Sequence, residues 1–162
     1  MANDTANTPE ERVVALWRRF ANSAFGRRLY SFLFSRMVPY TGTIRPMIEE
    51  VTSERASVTI EDRWILRNHL HSIHAIALAN LGELASGLAV IAALPKATKG
   101  IVTSLEIDYT KKARGKLTAI GEAQVPDRIS DAITLQVCAT IWDSVGDSVA
   151  TVTAQWLLSP RD

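Results

Sequence analysis

All three histidines of the chain fall in one short run, Asn68-His69-Leu70-His71-Ser72-Ile73-His74, and nine residues beyond the last of them stands Glu83. Histidines so crowded could hold a metal. Transition-metal sites usually add a Cys or a carboxylate, however, and none lies close in sequence, so no metal is expected. Glu83 is the more informative residue. Apart from His74 it is the only titratable side chain between Ile73 and Leu94, a stretch apolar nearly all round. Apolar surroundings disfavour the charged carboxylate, which can make it a general base or a nucleophile. The plainer alternative is a structural carboxylate satisfied by a neighbour. His74 and Ala75 would open the helix, where backbone N–H groups lack partners and the dipole is positive. Such a turn suits a carbonyl oxygen that becomes negative during attack.

Two further groups could carry chemistry. Lys111, Lys112, Arg114 and Lys116 gather about a turn. They could hold phosphates, or simply keep a strand edge soluble. Cys138 is the single cysteine, so no intrachain disulfide is possible and a reducing compartment is expected. It falls mid-strand without an evident base and reads as ordinary packing.

The elements that must position these residues follow from periodicity. Thr8-Pro9-Glu10-Glu11 is a capping box with proline in the first helical position, followed by Val13, Leu16, Trp17 and Phe20 at helical spacing. A second helix is expected over Phe25 to Met37, ending before Pro39. These helices are rich in arginine (Arg12, Arg18, Arg19, Arg27, Arg28, Arg36) and aromatics. They could be a cover on the rest of the fold, a lid, or a membrane-surface helix. The breadth of their apolar surface favours the cover. Period two then sets in: strands near Thr43 to Val51 and Arg55 to Asp62, turning at Thr52-Ser53-Glu54. A long helix is expected from Ile73 to Leu94, capped by Ser72 and closed by Pro95. Within it Asn80, Glu83, Ser86 and Gly87 form one polar stripe. A membrane span has about this length, but a mid-helix Glu is costly in lipid. Four more strands follow. Ile101, Thr103, Leu105, Ile107 and Tyr109 share a face of the first, Leu117 to Val125 alternate in the second, Ile133 to Ile141 in the third, and Ala150 to Leu158 in the fourth. Their spacing suggests an antiparallel meander.

At 162 residues, with 47% hydrophobic and 22% charged residues, the chain suits one domain: a helical extension over 1–38 and an α+β body over 39–162. A net charge of +1 gives no overall field for nucleic acid, and no stable membrane insertion is expected. Met1-Ala2-Asn3-Asp4 lacks the pattern of a secretory signal, so a cytoplasmic location is expected. One apolar helix and a half-polar antiparallel sheet of about six strands pack most simply with the sheet wrapped around the helix, the hotdog arrangement.

The spaced motif Asn68-x5-His74-Ala75-x7-Glu83, with Ala85-x-Gly87 after it, resembles the hotdog acyl-CoA thioesterases related to the phenylacetate-pathway enzymes. Their pattern is an Asn, a His-Gly-Gly opening the helix, and an Asp or Glu nine residues after the His. The fuller string from Arg67 to Leu88, with Ile107-Asp108-Tyr109-Thr110-Lys111-Lys112-Ala113-Arg114-Gly115, is similar to a sparsely characterised branch of tetrameric acyl-CoA thioesterases. The resemblance implies thioester hydrolysis by a homodimer or dimer of dimers, with no cofactor. Asn68 would hold the thioester or the attacking water, and the Ala75 N–H, with His74 beside it, would polarise the carbonyl. Glu83 would be base or nucleophile. Lys111, Lys112 and Arg114 would meet the phosphates of coenzyme A. Ala75 and Ile76 replace the usual Gly-Gly. Where relatives often carry a Ser or Thr on the next strand, Val102 stands here, with Ser104 two residues on and expected on the same face. His74 and Glu83 lie about 13 Å apart along a helix and on opposite faces. If both act, Glu83 must come from the neighbouring subunit.

Overall fold

In the computed structural model, which describes residues 8–161, Thr8 caps α1 (Pro9–Phe20). The Thr8 hydroxyl accepts the Glu11 N–H at 3.2 Å and the Glu11 carboxylate accepts that of Thr8 at 3.1 Å. The reading of Met1 to Asp4 lies outside the described residues. α2 (Ala24–Met37) ends before Pro39 as expected, but a four-residue α3 (Pro39–Gly42) follows it. Pro39 is preset for a helical first turn, so the first strand starts at Met47 instead of Thr43. That strand, β1 (Met47–Val51), turns through Thr52–Glu54 into β2 (Arg55–Ile60).

The long helix, α4 (Ala75–Ala93), starts two residues later than its apolar run. His74, not Ser72, is its cap: Nδ1 accepts the Ile76 N–H at 3.1 Å. The Ser72 hydroxyl is engaged elsewhere, donating to Asn68 Oδ1 at 3.2 Å. α4 is long and apolar enough to cross a membrane by length and composition, yet twelve of its 19 residues are buried within the fold.

Four strands complete the sheet: β3 (Thr98–Tyr109), β4 (Leu117–Glu122), β5 (Ile133–Trp142) and β6 (Ser148–Pro160). The order is β1-β2-β4-β5-β6-β3, antiparallel throughout, and wrapped on α4 as a hotdog. The expected meander holds for β4, β5 and β6 only. β3 pairs with β6 at the far edge, because α4 carries the chain across the sheet between β2 and β3. The helix lies almost directly on the strands. A Cβ at Gly121 of β4 would collide with the Ala85 carbonyl, and one at Gly82 with the Val152 side chain. Only glycine permits that approach.

A bulge in β3 overturns the expected alternation. Val102 pairs with Trp156 and Ser104 with Gln155, so Thr103 is the extra residue. Val102 therefore faces inward with Trp156, whereas Ser104 is exposed on the outer face, and the two do not share a side. Past the bulge, Leu105, Ile107 and Tyr109 pair with buried Ala154, Val152 and Ala150 and so point inward.

The N-terminal helices cover the β1 end of this body. Trp17, Tyr30 and Phe34 are buried in the same core as α4, and Trp17 Nε1 donates to the Val51 carbonyl at 2.9 Å. Ser31 Oγ accepts the N–H of Ile48 at 2.9 Å, fastening α2 to β1. Burial of each aromatic is worth roughly 1.5–3 kcal/mol. Phe25 and Phe32 stay exposed and take no part in this packing.

Candidate active site

Ala75, Ile76, Ala79 and Glu83 are the positions in the first half of α4 that are not buried, and their spacing puts them on one face. That face adjoins β3: the Tyr109 hydroxyl donates to the Ala75 carbonyl at 3.2 Å. Leu105 and Tyr109 point inward by register, yet they are 44% and 48% exposed, and Ile76 is 55% exposed. Nothing among the described residues covers them. The outer edge of β3 has no partner strand among the described residues.

Glu83 lies half-buried on this face, without a hydrogen-bond or ion-pair partner among the described residues. Burial pushes its carboxyl above the usual carboxylate range. The Ser86 hydroxyl donates to its backbone carbonyl at 3.0 Å and not to its carboxylate. Asn80, on the polar stripe, is buried and donates to the Tyr40 carbonyl at 3.4 Å, so it ties α3 to α4. Gly87 leaves room for Trp156, and Glu83 Oε1 lies 3.9 Å from where a Gly87 Cβ would be. The buried Trp156 indole N–H has no acceptor among the described residues. Sequence reasoning put Trp156 on the inner face of β6 but gave neither it nor Tyr109 a place at the site.

At the helix start one donor is open. The Ile76 N–H is taken by His74 Nδ1, and those of Ala77 and Leu78 by the His74 carbonyl at 2.9 and 3.2 Å. The Ala75 N–H has no acceptor among the described residues. His74 itself is exposed. Asn68 Oδ1 accepts from Leu70 N, Ser72 N and Ser72 Oγ at 2.9, 3.3 and 3.2 Å, so its carbonyl is committed to its own loop. Only its amide nitrogen remains open. Ala75 and Glu83 are separated by about 12 Å of helix rise.

The basic turn serves the loop that precedes α4. Lys111 lies between Asp143 and Asp147, at 2.7 and 2.5 Å, so two carboxylates already stand at its ammonium group. Arg114 donates to the carbonyls of His71 and Leu70 at 3.3 and 3.4 Å, and the Ala113 carbonyl accepts the Ile73 N–H at 2.8 Å. Lys116 stands 4.0 Å from Glu61, which leaves Lys112 without a partner among the described residues. Cys138 is exposed on the outer sheet face, 3.7 Å from the Thr153 hydroxyl, and so is not core packing. Among the described residues no three His, Cys, Asp or Glu side chains converge as metal ligands.

Residues 26–158 match the model of a family described as a domain of unknown function (DUF4442). No curated protein matches the chain. A structural-genomics crystal structure is 23% identical, covers 92% of this chain and 99% of its own, and has a TM-score of 0.80. A Pseudomonas aeruginosa protein of unknown function, given as a probable thioesterase, is 17% identical over 80% of this chain and 92% of its own, with a TM-score of 0.71. A thioesterase family protein from Silicibacter pomeroyi is 16% identical over 80% of this chain and 96% of its own, with a TM-score of 0.68. At these identities the likeness establishes the hotdog fold.

Proposed function

The chain belongs to the DUF4442 domain family, and from that premise we propose that it hydrolyses an acyl-CoA thioester to the free acid and CoA. The observation that carries the reading is Glu83: a desolvated, unpartnered carboxylate on the open face of a buried apolar helix. As a base, Glu83 takes a proton from water while the water oxygen adds to the thioester carbon. The Ala75 N–H donates to the oxyanion. The C–S bond then breaks, and the CoA sulfur leaves with the proton returned from Glu83. As a nucleophile, Glu83 would instead attack the thioester carbon and expel the CoA thiolate, leaving an acyl anhydride. Water opens this to the free acid and the Glu83 carboxylate, with the released proton passing to the thiolate. His74 holds the helix turn in register, and the free amide of Asn68 is available to the thioester oxygen or to water. The fold neighbours from Pseudomonas and Silicibacter, a probable thioesterase and a thioesterase family protein, support thioester chemistry.

Two chains complete the site. Ala75 and Glu83 of one helix cannot both reach one carbon, since reacting groups must approach to about 3 Å. Uncovered inward residues beside a free strand edge support a two-fold dimer joined through β3, pairing the helix start of one chain with the Glu83 of the other. The test is release of free thiol from short, medium, long and aromatic acyl-CoAs. Turnover of at least one, falling about 10²–10⁴-fold in Glu83→Gln, is expected. No turnover, or turnover indifferent to Glu83, overturns the reading. A second reading, a non-catalytic acyl-CoA or lipid-binding module, is favoured by one observation: His74 Nδ1 occupies the Ile76 N–H, which leaves a single open donor. Tight acyl-CoA binding without turnover would select it.

A further inference from the structure

A groove of about 930 Å³ opens between α2, α3 and the segment leading into β1, with Arg28, Phe32, Arg36, Pro39, Arg45 and Met47 on its walls. No carboxylate lines it. Arg28, Arg36 and Arg45 have no acidic partner among the described residues. Arg28, Phe32 and Arg36 recur every four residues on α2, so an aromatic ring sits between two guanidinium groups. Arg45 faces them from the other wall, and its backbone holds φ 48°, a left-handed conformation that a side-chain-bearing residue rarely adopts. Arg63, donating to the Thr43 carbonyl at 3.0 Å, is held below its ordinary pKa by burial first and by the Arg45 charge second. The positive charge here is thus concentrated and uncompensated. The volume is that of a small-molecule site, and a two-walled groove suits a molecule better than a flat surface.

We propose that this groove binds the 3′-phosphoadenosine diphosphate end of a CoA thioester, with its phosphates on the three arginines and its adenine against Phe32. Planar guanidinium groups take phosphate oxygens in pairs, and an exposed ring offers a stacking face for a base. Pro39 and Gly42 of α3 line the groove, while the Tyr40 carbonyl of the same helix holds Asn80, one turn before Glu83. α3 thus joins one wall of the groove to the helix that carries Glu83. That the nucleotide arrives as part of a thioester rests on the proposed function. That the groove takes a nucleotide polyphosphate does not.

Titration calorimetry on the full chain tests both parts. CoA and 3′-phosphoadenosine 5′-diphosphate should bind the native protein, with 3′-dephospho-CoA weaker and adenosine absent. The triple variant Arg28→Gln/Arg36→Gln/Arg45→Gln should lose at least tenfold in affinity for both. It should also raise KM for acyl-CoA but not for the matching acyl-pantetheine. If the triple variant fails to fold, Arg36→Gln, at an exposed position, carries the same expectation with a smaller loss. Unchanged nucleotide affinity in a folded variant overturns the site. So does capture of the native chain by anionic phosphatidylserine vesicles without any nucleotide binding. Nucleotide binding without thioester turnover keeps the groove and overturns the hydrolase reading, whereas turnover without groove binding does the reverse.

Discussion

Glu83 ionises against its surroundings, because burial strips water from the carboxylate and no described residue replaces it. Its folded pKa lies above the ordinary value of 4.5, so the fold favours the protonated form. Below that ordinary value the carboxyl is protonated in the folded and unfolded chain alike, and no penalty arises. As pH rises from there through the raised folded value, the unfolded chain ionises first and stability falls, then levels off. Glu83→Gln keeps the shape without the charge. It should therefore raise Tm at pH 7, with the gap to the native protein closing near pH 4. Thermal unfolding at the two pH values measures this, and an equal gap at both would show that desolvation of Glu83 is not the source. The same shift moves the acid limb of the activity profile above the usual carboxylate range, since the base must be ionised to act.

At the scale of the element, α4 does two jobs with one terminus. Its cap is an imidazole, which leaves the Ala75 N–H as the open donor. Ala75 occupies the first helical position, and His74 before it has φ −64° and ψ 141°, an extended conformation compatible with a following proline. Ala75→Pro should consequently fold normally, since proline is favoured at this position, while deleting the one N–H that the mechanism needs. A loss of about 10²–10³-fold in kcat, with unchanged helix content by circular dichroism, is the expected outcome. Retained activity in a folded Ala75→Pro would remove the helix start from the mechanism. The loop ahead of α4 also explains the basic turn. Arg114 and Ala113 hold the loop by its backbone, so two members of the basic turn support the start of α4.

Under the proposed function, one chain holds only part of the site. Among the described residues, Ile76, Leu105 and Tyr109 form an uncovered apolar surface on the side of Glu83, along a strand edge with no partner. A two-fold partner would cover it and bring its own Glu83 to the Ala75 of the first chain. Complementation separates this from a site within one chain. Ala75→Pro and Glu83→Ala, each inactive alone, are mixed and allowed to exchange subunits. Half of the dimers would be mixed, and each would hold one intact site and one doubly altered site. Activity should recover to about a quarter of the native level. No recovery after demonstrated exchange would place both groups in the same chain.

The long apolar helix, the helical cover and the count of six strands were legible in the sequence, because each is written in a local period of side chains. So was Glu83, since a lone carboxylate in an apolar run has no local reason to be there. The cap at His74, the bulge at Thr103, the place of β3 and the groove of Arg28, Arg36 and Arg45 were not. A bulge shifts the register by one residue without changing composition, and it alone sends Val102 inward and Ser104 outward. Strand order depends on where α4 delivers the chain, which no local period records. Lys111 looked free until the turn at Asp143 to Asp147 came beside it, and Arg45, which the local pattern did not single out, meets α2 only in the folded chain. Local patterning determined which residues were candidates. Contacts between segments distant in sequence decided which charges were already neutralised and which were still open to a ligand.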